Sequence, residues 1–138
     1  MQIEIENTFK ISTTNLKLLY NQLNDLLDLK IESLYLHIIS DEEILKINRL
    51  YLNHDYYTDI ITFDLRDERS KDAEIYISLE RVRDNAKNMN IAEDDELYRV
   101  CIHGMLHLFG IEDKTLAQKA TMRKLESKYI NNLFHVKP

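Results

Sequence analysis

The chain is short of the residues that cross-link and punctuate proteins: its 138 residues include one cysteine, one proline, two glycines and no tryptophan. A lone Cys101 excludes an internal disulfide and carries no sign of an oxidising compartment, so a cytoplasmic setting is expected. No Gly-, Ser- or Pro-rich linker, low-complexity tract or internal repeat divides the sequence. With 44% hydrophobic residues, it is expected to bury one continuous core as a single domain over 1–138. No segment approaches the roughly 18 apolar residues of a membrane span, and Met1-Gln2-Ile3-Glu4-Ile5-Glu6 has neither the basic start nor the apolar stretch of an export signal. Positive charge is scarce as well. A net charge of −6 argues against a nucleic-acid substrate, because phosphate binding draws its free energy from Lys and Arg releasing counterions. A basic surface would have to be local, from Arg81, Arg83 and Lys87, from Arg99, or from Lys119, Arg123, Lys124 and Lys128. The duller reading is that these are solvated cations paired with acidic neighbours.

Hydrophobic spacing predicts alternating strands and helices. Gln2 to Glu6 alternates polar and apolar as a half-buried strand does, and Asn15 to Asp28 carries Leu16, Leu19, Leu23, Leu26 and Leu27 at helical spacing. Leu34 to Ile39 reads as a second strand. Ser40-Asp41-Glu42-Glu43 is a capping box opening a helix to about Tyr51, after which Leu52 to Thr58 is irregular. Strands follow at Asp59 to Asp64 and Ala73 to Ile77, joined by a polar hairpin-like loop. Helices are expected from Ser78 to about Asn88, from about Asp94 to Phe109, with Glu93 to Glu96 against the positive end of its dipole, and from a Thr115 capping box to about Leu133. The order βαβαββααα indicates an α+β domain: a four-stranded mixed sheet covered by about five helices.

Both glycines fall in one run, His103-Gly104-Met105-Leu106-His107-Leu108-Phe109-Gly110-Ile111-Glu112-Asp113. On a helix, His103 and His107 lie one turn apart on one face, so both imidazoles can point at a single ion. Gly110 can take the left-handed conformation that ends the helix, and the returning chain brings Asp113, or its neighbour Glu112, within reach as a third ligand. Three protein ligands leave a position open, the mark of a catalytic rather than a structural zinc. The metal site is therefore expected at the end of a buried helix. The spacing nearly matches that of the metzincin proteases, but Gly104 stands where those enzymes carry their glutamate base, which disfavours peptide hydrolysis. Cys101 points away from the histidine face and reads as a core residue, His37 as a strand residue, and His54 as a loop residue able to reach a cleft.

The same run resembles the YbeY signature H-G-x-L-H-L-x-G-x-D-H, matching at His103, Gly104, Leu106, His107, Leu108 and Gly110. Its end departs from that pattern, Glu112-Asp113 replacing Asp-His, so that a carboxylate stands where the family has an imidazole. Ile47 to Phe63 is similar to the family's L-N-x-x-Y-R-x-K-D-x-P-T-D-V-L-S-F segment, and Ala73 to Ser78 to its G-D-I-x-I-S strand. Leu52, His54 and Tyr57 replace arginine, lysine and proline, and Leu52 cannot grip phosphate. The resemblance implies a zinc-dependent, single-strand-specific endoribonuclease acting on ribosomal RNA in ribosome maturation, with one Zn2+ on His103, His107 and Asp113. The ion would activate water or polarise a phosphoryl oxygen for attack by the neighbouring 2′-hydroxyl. No residue stands out as general base. The alternatives are a metzincin-like hydrolase of peptides or small molecules and a non-enzymatic ribosome-associated factor with a structural ion.

Overall fold

The computed structural model describes residues 1–134; positions 135–138, the end of the expected domain, lie outside the described residues. The element order is β1 (Gln2–Asn7), α1 (Thr14–Leu26), β2 (Ser33–Ile39), α2 (Asp41–Leu52), β3 (Ile60–Asp64), β4 (Asp72–Ser78), α3 (Leu79–Met89), α4 (Glu93–Phe109) and α5 (Leu116–Phe134). These four strands and five helices are the α+β arrangement that the spacing implies. Ends shift by a residue or two, with β3 opening at Ile60 rather than Asp59.

The sheet order is β1-β2-β4-β3, with β1, β2 and β4 parallel and β3 antiparallel to β4. Strand period two places Leu34, Leu36, Ile38, Ala73, Ile75 and Ile77 on one face. There they form the main core with residues of α1, α3, α4 and α5. The other face carries a smaller cluster of Ile39, Ile44 and Ile61 beneath α2. The helix α4 contacts α1, α3, α5 and β3, so its burial extends almost all round, from Leu97 and Val100 to Leu106 and Leu108.

The Ser40 capping box forms with both arms made: Glu43 N–H donates to Ser40 Oγ at 3.2 Å, and Ser40 N–H to Glu43 Oε1 at 3.3 Å. With glycine so scarce, asparagine takes the left-handed positions that close α2 and α3, at Asn53 (φ 54°) and Asn90 (φ 56°). Cys101 is fully buried, as its helical phase requires. His37 is a satisfied strand residue, with Nε2 2.8 Å from Glu74 and its ring stacked on Tyr76.

Candidate metal centre

Helix α4 runs against β3 at Gly104. A Cβ there would sit 2.6 Å from Ile60 Cδ1 and 3.0 Å from Thr62 Cγ2, so glycine lets the helix approach this closely and a larger residue would have to displace the Ile60 side chain. That contact seats the histidine face of α4 over the end of the sheet. The helix stops at Gly110, whose φ of 108° is open to glycine at little cost. Gly110 N–H then donates to His107 O, and Ile111 N–H to Leu106 O, each at 3.0 Å. The Arg66 guanidinium caps the same end, donating to Leu108 O at 2.5 Å and Leu29 O at 3.2 Å.

This turn returns Asp113 to the histidines. His103 Nε2 and His107 Nε2 are 2.9 Å apart, Asp113 Oδ2 lies 3.3 Å from the first and Oδ1 3.6 Å from the second. Tetrahedral zinc with bonds of 2.0–2.1 Å has ligand-to-ligand edges of about 3.3 Å, so the three groups are spaced as ligands of one ion. Glu112 is exposed and faces Gln118 at 3.5 Å instead. Among the described residues, His103, His107 and Asp113 are the group of His, Cys, Asp or Glu that could hold an ion.

Proton placement supports the same fit. The Ile111 carbonyl can only accept, so the His107 Nδ1 that lies 2.9 Å from it carries a proton. His103 Nδ1 lies 2.6 Å from Glu126 Oε2. Burial opposes charge on Glu126, but the His103 hydrogen bond and the Arg99 guanidinium outweigh it and hold its carboxyl below the ordinary value. With Nδ1 engaged on each ring, Nε2 is the atom that each imidazole offers to a metal ion. The two Nε2 atoms stand 2.9 Å apart, close enough to bind one ion together.

A network of buried charge surrounds the centre, and spacing along the chain does not reveal it. Glu126, 2% exposed on α5, is joined to Arg99, which donates to it at 3.0 Å and to both Glu96 oxygens at 2.7 Å. Glu96 thus does more than meet a helix dipole; it is fully buried as a guanidinium partner. Arg99, a candidate for a basic surface, is consumed inside, and its pKa is pushed further up, first by the Glu96 hydrogen bonds. Arg81 pairs with Asp41 and Asp84, and Arg83 with Glu93. Asp59 opens onto the triad in a cleft of about 420 Å³, with Arg99 3.8 Å away. Burial lifts its carboxyl above the ordinary value against the pull of Arg99.

The loop 53–59 walls the other side. Buried Asn48 pins it, donating from Nδ2 to Tyr56 O at 2.8 Å and accepting from His54 N–H at 3.1 Å, and Arg49 pairs with Asp55. His54 reaches the cleft edge beside Leu52 and His107, stacked on Tyr56, without joining the triad.

Comparison with known proteins agrees with this geometry. The family described as Endoribonuclease YbeY matches residues 2–134. This chain belongs to the YbeY family. A YbeY relative from Bacteroides thetaiotaomicron, described as an endoribonuclease, is 52% identical over 89 residues, which cover 64% of this chain and 65% of that protein. One from Cytophaga hutchinsonii, described in the same words, is 51% identical over 88 residues, covering 63% and 62%. The chain thus spans a little under two thirds of the length of these curated YbeY relatives. The solution structure of a Thermotoga maritima protein superposes with a TM-score of 0.66 at 28% identity, over 97% of this chain and 90% of that one. Among the described residues of this YbeY chain, no helix is long and apolar enough to cross a membrane.

Proposed function

We propose that this chain is one YbeY domain over 1–138 that acts in the cytoplasm as a zinc-dependent, single-strand-specific endoribonuclease in ribosomal RNA maturation. His103, His107 and Asp113 are its metal ligands. The observation that carries the reading is the pair of Nε2 atoms 2.9 Å apart beside Asp113, in a chain whose relatives are described as endoribonucleases. When bound, zinc on three protein ligands supplies a Lewis acid with one open position, able to polarise a phosphoryl oxygen or lower the pKa of a water.

The chain's own residues orient that centre. Glu126 and the Ile111 carbonyl each accept from an Nδ1, which holds both rings with Nε2 beside Asp113, where an ion would be bound. The turn at Gly110 sets the Asp113 carboxylate opposite them. A carboxylate in place of the family's imidazole brings the ligand set closer to neutralising a divalent ion, and zinc accepts either type.

Gly104, standing where metzincins carry their glutamate base, weighs against a peptidase. The test combines metal analysis of the purified protein with cleavage of matched single-stranded RNA, DNA and peptide substrates. About one zinc per chain with cutting of RNA alone is the expected result. Equal cutting of DNA removes the 2′-hydroxyl from the reaction, and bound metal with no cutting of any substrate favours the non-enzymatic ribosome factor.

A further inference from the structure

Helix α5 forms one wall of the metal cleft, and its face there follows helical period. Met122 and Glu126 turn inward and are buried, while Lys119 and Arg123, one turn apart, stand exposed at the rim. Lys119 and Arg123 line a cavity of about 170 Å³ together with Arg99, His103, Asp113 and Glu126. This cavity opens into the main cleft through Arg99, His103 and Asp113, which line both. Of the cations lining the cleft and this cavity, Arg99 is committed to ion pairs with Glu96 and Glu126. The side chains of Lys119 and Arg123 make no ion pair or hydrogen bond with the described residues.

Charge makes this pair matter. Asp59, Glu96, Asp113 and Glu126 bring four carboxylates to the centre against the single guanidinium of Arg99. With all four ionised and a divalent ion in place, the pocket is still one unit negative and repels a phosphodiester. Two free cations at the rim reverse that sign. Leu52, which lines the far arm of the cleft by His54 and Tyr56, offers phosphate nothing.

We propose, resting on the reading of this cleft as an RNA site, that Lys119 and Arg123 grip a backbone phosphate of the single strand next to the metal centre, so that the strand enters along α5. The pair binds rather than reacts. Its loss raises KM and weakens binding, and leaves bound zinc unchanged.

The experiment measures binding of a fluorescent 2′-O-methyl oligonucleotide to zinc-loaded protein by anisotropy at several salt concentrations. Wild type is compared with the double variant Lys119→Ala/Arg123→Ala. A second double variant, Lys124→Ala/Lys128→Ala, makes the same change of net charge on the same helix away from the cleft. Each phosphate neutralised on a single strand contributes about 0.7 to the salt slope, so the one phosphate held by this pair makes wild type lose about 2.6-fold more affinity than the first variant between about 50 and 200 mM salt. The Lys124/Lys128 variant keeps the wild-type slope. Equal slopes in wild type and the Lys119/Arg123 variant, with wild type cutting RNA, overturn this inference alone. An equal loss in both double variants also overturns it, since the effect is then general charge. Zinc-loaded wild type that neither binds nor cuts RNA overturns the RNA reading and this inference with it.

Discussion

Replacing Glu126 by glutamine tests whether a residue on α5 controls metal binding on α4. The carboxylate serves two donors through separate oxygens: His103 Nδ1 at 2.6 Å on Oε2 and the Arg99 guanidinium at 3.0 Å on Oε1. Glutamine is close in shape but has one acceptor oxygen, so either orientation turns its amide N–H2 toward a donor. If the oxygen stays with His103, a charge-assisted hydrogen bond of about 1.5–3 kcal/mol becomes a neutral one of about 0.5–1.5 kcal/mol. If the amide turns the other way, ring orientation is lost as well. Partners of metal-bound histidines are worth about 10–100-fold in metal affinity, or about 1.4–2.7 kcal/mol. The expected outcome for Glu126→Gln is therefore zinc binding weakened at least tenfold. Competition against a chromophoric zinc chelator measures this, with circular dichroism melts to establish that the variant is folded. Glu126→Asp keeps the charge but is one methylene short, and should fall between the two. A folded Glu126→Gln protein with zinc affinity within twofold of wild type would refute the claim that this carboxylate orients His103.

His103→Ala or His107→Ala should reduce zinc from about one per chain to background, each removing one of the three proposed ligands. Asp113→Ala should lose far more metal than Glu112→Ala, as Glu112 faces Gln118; the reverse order in metal analysis would mean that the turn after Gly110 presents the other acid. The Cys101 thiol is fully buried and burial pushes its pKa up to about 12, so it should resist a thiol reagent in the folded protein and react only in denaturant; fast labelling of native protein would contradict the packing of α4. The Arg66 hydrogen bonds hold the Asp64 carboxyl below its ordinary value of 3.8. Its contribution to stability is thus present above that value and is lost as pH falls through the lower folded value. Asp64→Asn should melt below wild type near neutral pH and converge with it in acid, and a constant gap across that range would rule out the linkage.

Features that lie within one element or in the turn that ends it were legible in the sequence, and those that join distant elements were not. His103 and His107 are visible together because one helical turn separates them, and Asp113 because a glycine stop constrains the next few residues. The βαβαββααα order followed from hydrophobic period and capping residues, and the Ser40 box formed as read. Strand order was hidden, because the pairing of β2 with β4 across α2 and β3 depends on which faces pack together in three dimensions. Glu126 was hidden for the same reason: it lies 23 residues from His103 and reads as one more charge on a polar helix until α5 docks. Arg99 misled in the opposite sense. One turn before His103, it suggests a phosphate-facing cation, yet two buried carboxylates take up its donors.

That buried cluster also bears on how the proposed metal ligands are held in place. Taking Glu96, Glu126 and Arg99 out of water costs several kcal/mol per ion before their pairing offsets it, so stability alone is a weak reason for it. What the cluster does accomplish is geometric. Arg99 bridges an acid one turn earlier on α4 and an acid on α5, locking the two helices in register, and the second acid passes that register to His103 through Nδ1. His107 obtains its orientation from the backbone, at the Ile111 carbonyl just beyond the Gly110 turn that also delivers Asp113. One ring is thus positioned by helix packing and the other by the helix stop. Metal binding at the proposed centre should consequently depend both on the docking of α5 and on the conformation at Gly110.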